Sequence, residues 1–141
     1  MRSINRHVSL LFRMGERFLN RELAGSGISS GTAPLLLELC EGENRNPVAL
    51  AAAIGIDKAY VTRALQSLER AGYVAVVPAK ADGRSVTVSL TGEGWAAAGR
   101  VEDAMRAWVA IVSRGVSQAD LDTVNTVFDQ FYANAREYFT K

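Results

Sequence analysis

Six residues between 57 and 68 carry hydrogen-bonding side chains on one side of a helical repeat. They are Lys58, Tyr60, Thr62, Arg63, Gln66 and Ser67. An ammonium, a guanidinium, an amide and three hydroxyls are the groups that contact base edges and phosphates. Further along, Lys80 and Arg84 flank Asp82 in a polar, glycine-containing turn. None of these forms a catalytic set. The chain has one histidine, His7, and one cysteine, Cys40. They cannot make a typical zinc site. No Ser/His/Asp set, paired carboxylates or glycine-rich phosphate loop stands out. There is no basis here for an enzyme, and neither cofactor nor metal is expected.

The elements around these residues must hold them outward. Asn46 and Pro47 read as the N-cap and first position of a short helix. Val48, Leu50, Ala51 and Ile54 would form its apolar face. Gly55 interrupts it where the turn needs positive φ. Ile56 is expected to point inward and Asp57 to cap the next helix. Val61, Ala64, Leu65 and Leu68 then recur at i, i+3, i+4 and i+7, an apolar stripe opposite the polar one. A small residue at 51, a glycine at 55 and a β-branched residue at 61 form a helix-turn-helix pattern.

Gly72 reads as the glycine that ends the second helix. Tyr73–Val77 and Val86–Leu90 are short and rich in β-branched residues, so both are expected to be strands. With the polar turn 78–85 they make a hairpin attached to the second helix. The fold class expected is therefore mainly α with a small β-hairpin wing, a winged helix-turn-helix. A wing with Lys80 and Arg84 near its tip suits a minor groove, where narrow width concentrates negative potential.

The remaining segments are helical. Residues 3–24 have helical periodicity, with arginines over much of the polar side, and end at Gly25-Ser26-Gly27. A second helix is expected over about Ser30–Glu41, with Ser29, Ser30 and Thr32 all able to cap it. Thr91 can cap a long helix running to about Arg114, and Ser117 with Asp120 imitates a capping box for the last one. There Leu121, Val124, Phe128, Phe131, Ala135 and Tyr138 recur at helical spacing. This is more apolar surface than the winged helix needs, which points to a homodimer with Phe128, Phe131 and Tyr138 in the contact. The alternative is a bundle packed within one chain.

Composition agrees with one soluble domain. The chain has 141 residues, 48% hydrophobic and 22% charged, with a net charge of +1. The charge is unevenly spread: residues 1–21 carry five arginines against Glu16, and residues 57–90 carry five cations against three anions. A neutral protein can still present a basic face. A single cysteine forbids an intrachain disulfide and fits the cytoplasm. No run of 18 apolar residues occurs, so no membrane partner is expected.

Three blocks together resemble the MarR family of winged-helix transcription regulators. They are the stretch from Asp57 to Val74, then Asp82-Gly83-Arg84, then Val88-Ser89-Leu90-Thr91-Gly92-Glu93-Gly94. The likeness runs from about residue 5 to the C-terminus. It implies one MarR-like domain, 1–141, with a DNA-binding winged helix over about 29–90 and dimerisation helices over about 1–28 and 91–141. It implies double-stranded DNA as partner, and a repressor that binds a palindromic operator as a homodimer. Release by a small aromatic or anionic ligand, as in many family members, is part of the same implication. Arg84 resembles the wing arginine that enters the minor groove, oriented by Asp82.

Individual residues have competing readings. Arg63 reads a base edge or binds a phosphate, or else pairs with Ser67 or Glu69. Tyr60 departs from the small or hydroxyl residue frequent here in the family, and either contacts DNA or packs under the wing. Phe12, Leu36, Trp95 and Trp108 are candidates to line a ligand cleft, or are simply core. The family's peroxide sensors carry a reactive cysteine in the first helix; Cys40 falls in the second, as a small core residue. A second reading of the whole chain is a winged helix that docks a protein partner without binding DNA.

Overall fold

The computed structural model describes residues 2–42, 45–79 and 85–140. Among them, six helices and one hairpin follow in the order α1 (Arg2–Glu22), α2 (Ala33–Cys40), α3 (Pro47–Ile54), α4 (Lys58–Arg70), β1 (Val74–Pro78), β2 (Val86–Leu90), α5 (Gly92–Val112) and α6 (Gln118–Thr140). They divide into two compact units, Met1–Trp108 and Val109–Lys141.

In the first unit, the chain punctuates itself much as its residues dictate. Asn46 Oδ1 accepts the Ala49 N–H at 2.7 Å and starts α3. Gly55 ends it at φ 72°, a conformation costly for residues with a Cβ. Asp57 Oδ1 accepts the Tyr60 N–H at 2.8 Å and starts α4. Gly72, at φ 86°, turns the chain from α4 into the wing. β1 and β2 pair antiparallel, with Val74 opposite Leu90 and Val76 opposite Val88. Arg45 adds a one-residue third edge, exchanging both backbone hydrogen bonds with Val88 at 3.2 and 2.7 Å.

The core of this unit gathers one face from each element. Leu35, Leu36 and Leu39 of α2, Leu50 of α3, Val61 and Leu68 of α4, Val88 of β2, and Ala97 and Val101 of α5 are all essentially solvent-free. Each buried leucine contributes about 1.5–3 kcal/mol relative to exposure. Small residues let α5 approach closely. At Gly94 a Cβ would collide with the Tyr73 carbonyl oxygen.

Several boundaries differ from the sequence expectation. Helix α2 begins at Ala33 rather than Ser30. Ser29 opens a separate turn instead, its carbonyl accepting the N–H groups of Thr32 and Ala33 at 3.1 and 2.8 Å. Thr32 makes no side-chain cap; its hydroxyl accepts the Ser29 N–H at 3.0 Å. Tyr73 precedes β1 and is buried, so the strand starts one residue later. Val48 is 59% exposed, so α3 buries Leu50 and Ala51, with Ile54 partly buried, rather than the whole expected face; Ile56, expected to point inward from the turn after α3, is 37% exposed.

In the second unit, α6 is capped as expected: Ser117 Oγ accepts the Asp120 N–H at 3.1 Å and donates to Asp120 Oδ2 at 2.8 Å. None of the residues of α6 is buried. Its aromatic side chains contact one another, with Phe128 and Phe131 edge-to-face at 5.9 Å between centroids. No helix among the described residues is long and apolar enough to cross a membrane.

Candidate nucleic-acid interface

The orientation of α4 is set by what it buries. Val61, Ala64, Leu65 and Leu68 face the core, so Lys58, Tyr60, Thr62, Arg63 and Gln66 all stand on the exposed side. One helix face is thereby fixed and the other is free to contact a partner. Arg63 makes no hydrogen bond or ion pair among the described residues. Glu69, which the sequence offered as its partner, instead accepts the Val76 N–H at 3.2 Å and ties the end of α4 to β1. Among the described residues, no acceptor takes the Arg63 guanidinium's donors.

Thr62 is less free. Its hydroxyl donates to the Lys58 carbonyl at 2.9 Å, so in this rotamer it can only accept. Tyr60 is 37% exposed. Its ring leans on the turn before α2, where a Cβ at Gly31 would collide with the Tyr60 hydroxyl. Neither sequence reading of this tyrosine anticipated that neighbour.

At the wing, the Ala79 N–H donates to the Ser85 carbonyl at 2.8 Å, joining the two ends of the turn. Lys80, Asp82 and Arg84 lie outside the described residues. Behind the wing, the Thr91 hydroxyl donates to the Gly72 carbonyl at 2.6 Å and accepts the Gly94 N–H at 3.0 Å. The end of α4, the hairpin and the start of α5 are thus held at one point.

Helix, turn, exposed helix face and wing are matched in known proteins. Residues 26–85 match the MarR family model. The crystal structure of a MarR transcriptional regulator from Methanosarcina mazei superposes with a TM-score of 0.91, at 25% identity over 97% of this chain and 99% of that one. A MarR protein from Peptoclostridium difficile gives 0.91 at 23% identity, over 97% and 90% of the two chains. The chain is thus similar to MarR-family proteins in its central segment by sequence and over nearly its whole length in fold. A cysteine-to-serine MarR from E. coli, solved in complex with operator DNA, shares the fold at a TM-score of 0.81 and 21% identity, over 92% and 93% of the two chains. No curated protein matches the chain.

The fold also carries an open groove of about 530 Å³ lined by Met14, Arg17, Phe18, Asn20 and Arg21 of α1 and by Trp108 of α5. Phe18 and Trp108 stack at 5.4 Å between centroids, tilted by 35°. Of the four ligand candidates from the sequence, Trp108 borders this groove. Leu36 is fully buried in the core, and Phe12 and Trp95 are 66% and 46% exposed. The structure therefore does not gather those four around one space. The arginine spacing on α1 was the available signal for the groove, but arginines on a helix equally mark a solvated side.

Cys40 is partly buried. Burial raises its thiol above the ordinary value, and the carboxylates of Glu102 and Glu41 push the same way. Among the described residues no cation offsets them, so the surroundings favour the thiol over the reactive thiolate.

Proposed function

We propose that this chain is a MarR-family regulator: a sequence-specific, double-stranded DNA-binding transcriptional repressor of the cytoplasm, acting as a homodimer on a palindromic operator. The observation that carries this reading is the free outer face of α4, where Arg63 has no partner among the described residues and Lys58 and Gln66 are exposed beside it. Lys58 and Arg63 supply phosphate or base-edge contacts in the major groove, Gln66 a further edge contact, and Tyr60 and Thr62 support them. Lys80 and Arg84, with Asp82 orienting the arginine, take the adjacent minor groove.

The single MarR-like domain divides by role. Residues 29–90 bind DNA, and the terminal helices, about 1–28 and 91–141, dimerise. The apolar face of α6 supports the second role, with Phe128, Phe131 and Tyr138 at 46%, 46% and 76% exposure. Two-fold pairing would set two recognition helices about one turn of DNA apart. A small aromatic or anionic effector fits the groove beside Trp108, where Phe18 offers a stacking ring and Arg17 and Arg21 offer guanidinium groups. Selection from random duplex DNA tests the function. A palindrome with half-sites one helical turn apart is the expected product. Absence of any enriched duplex would leave the protein-docking winged helix as the better reading.

A further inference from the structure

We propose that Tyr60 is a positioning residue: lodged against Gly31, it sets the tilt of the recognition helix from the turn between α1 and α2. This rests on the DNA-binding reading and adds a part to it.

The inference starts from Gly31. Its backbone is not in the left-handed region, unlike Gly25, Gly27, Gly55, Gly72 and Gly115. Backbone conformation therefore does not demand a glycine here. Space does. A Cβ at Gly31 would collide with the Tyr60 hydroxyl oxygen and sit 3.5 Å from the ring carbon Cζ. The hydroxyl alone causes the clash, because 3.5 Å to Cζ is an ordinary contact.

The turn that receives Tyr60 is itself held. The Ser30 N–H donates to Asn20 Oδ1 at 2.7 Å, and Asn20 Nδ2 donates to Ser30 Oγ at 3.1 Å. Asn20 lies on α1, so the turn is fixed to that helix. On the other side, the Tyr60 N–H is the one capped by Asp57. Tyr60 thus joins the first turn of α4 to α1 through Gly31, Ser30 and Asn20. In helix-turn-helix proteins that first turn meets the base edges. The core stripe of α4 fixes its inner face, and Tyr60 adds a stop beside it. A contact-bearing helix must be held to about 0.5 Å to keep its bonds. Asn20 also lines the groove beside Trp108, so the chain of contacts begins at that groove.

The test is a set of variants read by operator affinity and by amide hydrogen exchange at residues 58–63, below the unfolding midpoint of each protein. Gly31→Ala should weaken operator binding about tenfold and speed exchange in the first turn of α4. Tyr60→Phe alone is the reference for the double variant, since it keeps the ring and loses only the hydroxyl, and it should bind more tightly than Gly31→Ala. Gly31→Ala with Tyr60→Phe should recover both affinity and protection. Asn20→Ala should weaken binding in the wild-type background and have no further effect in Tyr60→Ala. Tyr60→Phe binding as poorly as Gly31→Ala would overturn the proposal, because the hydroxyl would then be acting on DNA directly. Failure of Tyr60→Phe to rescue Gly31→Ala would overturn it as well. Wild type that binds no duplex would defeat the DNA-binding reading instead, and the exchange measurements would still decide whether Gly31 and Tyr60 are coupled.

Discussion

Thr91 holds the Gly72 carbonyl. Its hydroxyl donates across 2.6 Å to the glycine that ends α4, and the same oxygen accepts the Gly94 N–H at the start of α5. One side chain therefore closes α4, roots the hairpin and caps α5. Thr91→Val keeps the shape and removes both bonds. It should destabilise the fold by about 1–2 kcal/mol, seen as a lower midpoint in urea with an unchanged slope.

Gly94 meets the same junction from the other side. A methyl group there would run into the Tyr73 carbonyl oxygen, which is backbone and cannot rotate away. Gly94→Ala should cost about 1–3 kcal/mol through forced displacement. Thermal unfolding checks it. Gly99, with open space around its Cα, is the control: Gly99→Ala should be neutral or stabilising.

The central block was legible because its signals are local. Asp57, Gly55, Asn46 and Gly72 act on their own backbone, and the apolar stripe of α4 assigns its outer face without any tertiary knowledge. The start of α2 was not legible, because Ser29, Ser30 and Thr32 compete for one role and the winner depends on the turn they build together. The neighbours of Tyr60 and the groove beside Trp108 were hidden for another reason. They join residues far apart in sequence, as does the Tyr73 hydroxyl that donates to the Ser26 carbonyl. No spacing rule within a helix reports such pairs.

Cys40 should be a poor redox sensor. Burial and then Glu102 and Glu41 raise its thiol above the ordinary 9.0. The unfolded thiol ionises first, so its contribution to stability is full below pH 9.0 and is lost as pH rises through the higher native value. Alkylation at neutral pH should be slower than for a free thiol, and peroxide should leave operator affinity unchanged. Faster alkylation than the free thiol would contradict this.

The apolar face of α6 predicts a dimer. Sedimentation at micromolar concentration should give about twice the 15.2 kDa chain mass. Phe128→Asp with Phe131→Asp should shift the protein to monomer and weaken operator binding. A stable wild-type monomer would remove the need for a palindromic site.

The central claim is that the outer face of α4 reads duplex DNA, and Arg63→Ala tests it most directly. The selected operator is titrated with wild type and variant at physiological salt. A bidentate base contact is worth about 1–3 kcal/mol, and a dimer loses two, so affinity should fall at least about tenfold. If Arg63 reads a base, preference should also flatten at one symmetric pair of operator positions. Equal affinity for wild type and Arg63→Ala would contradict the account.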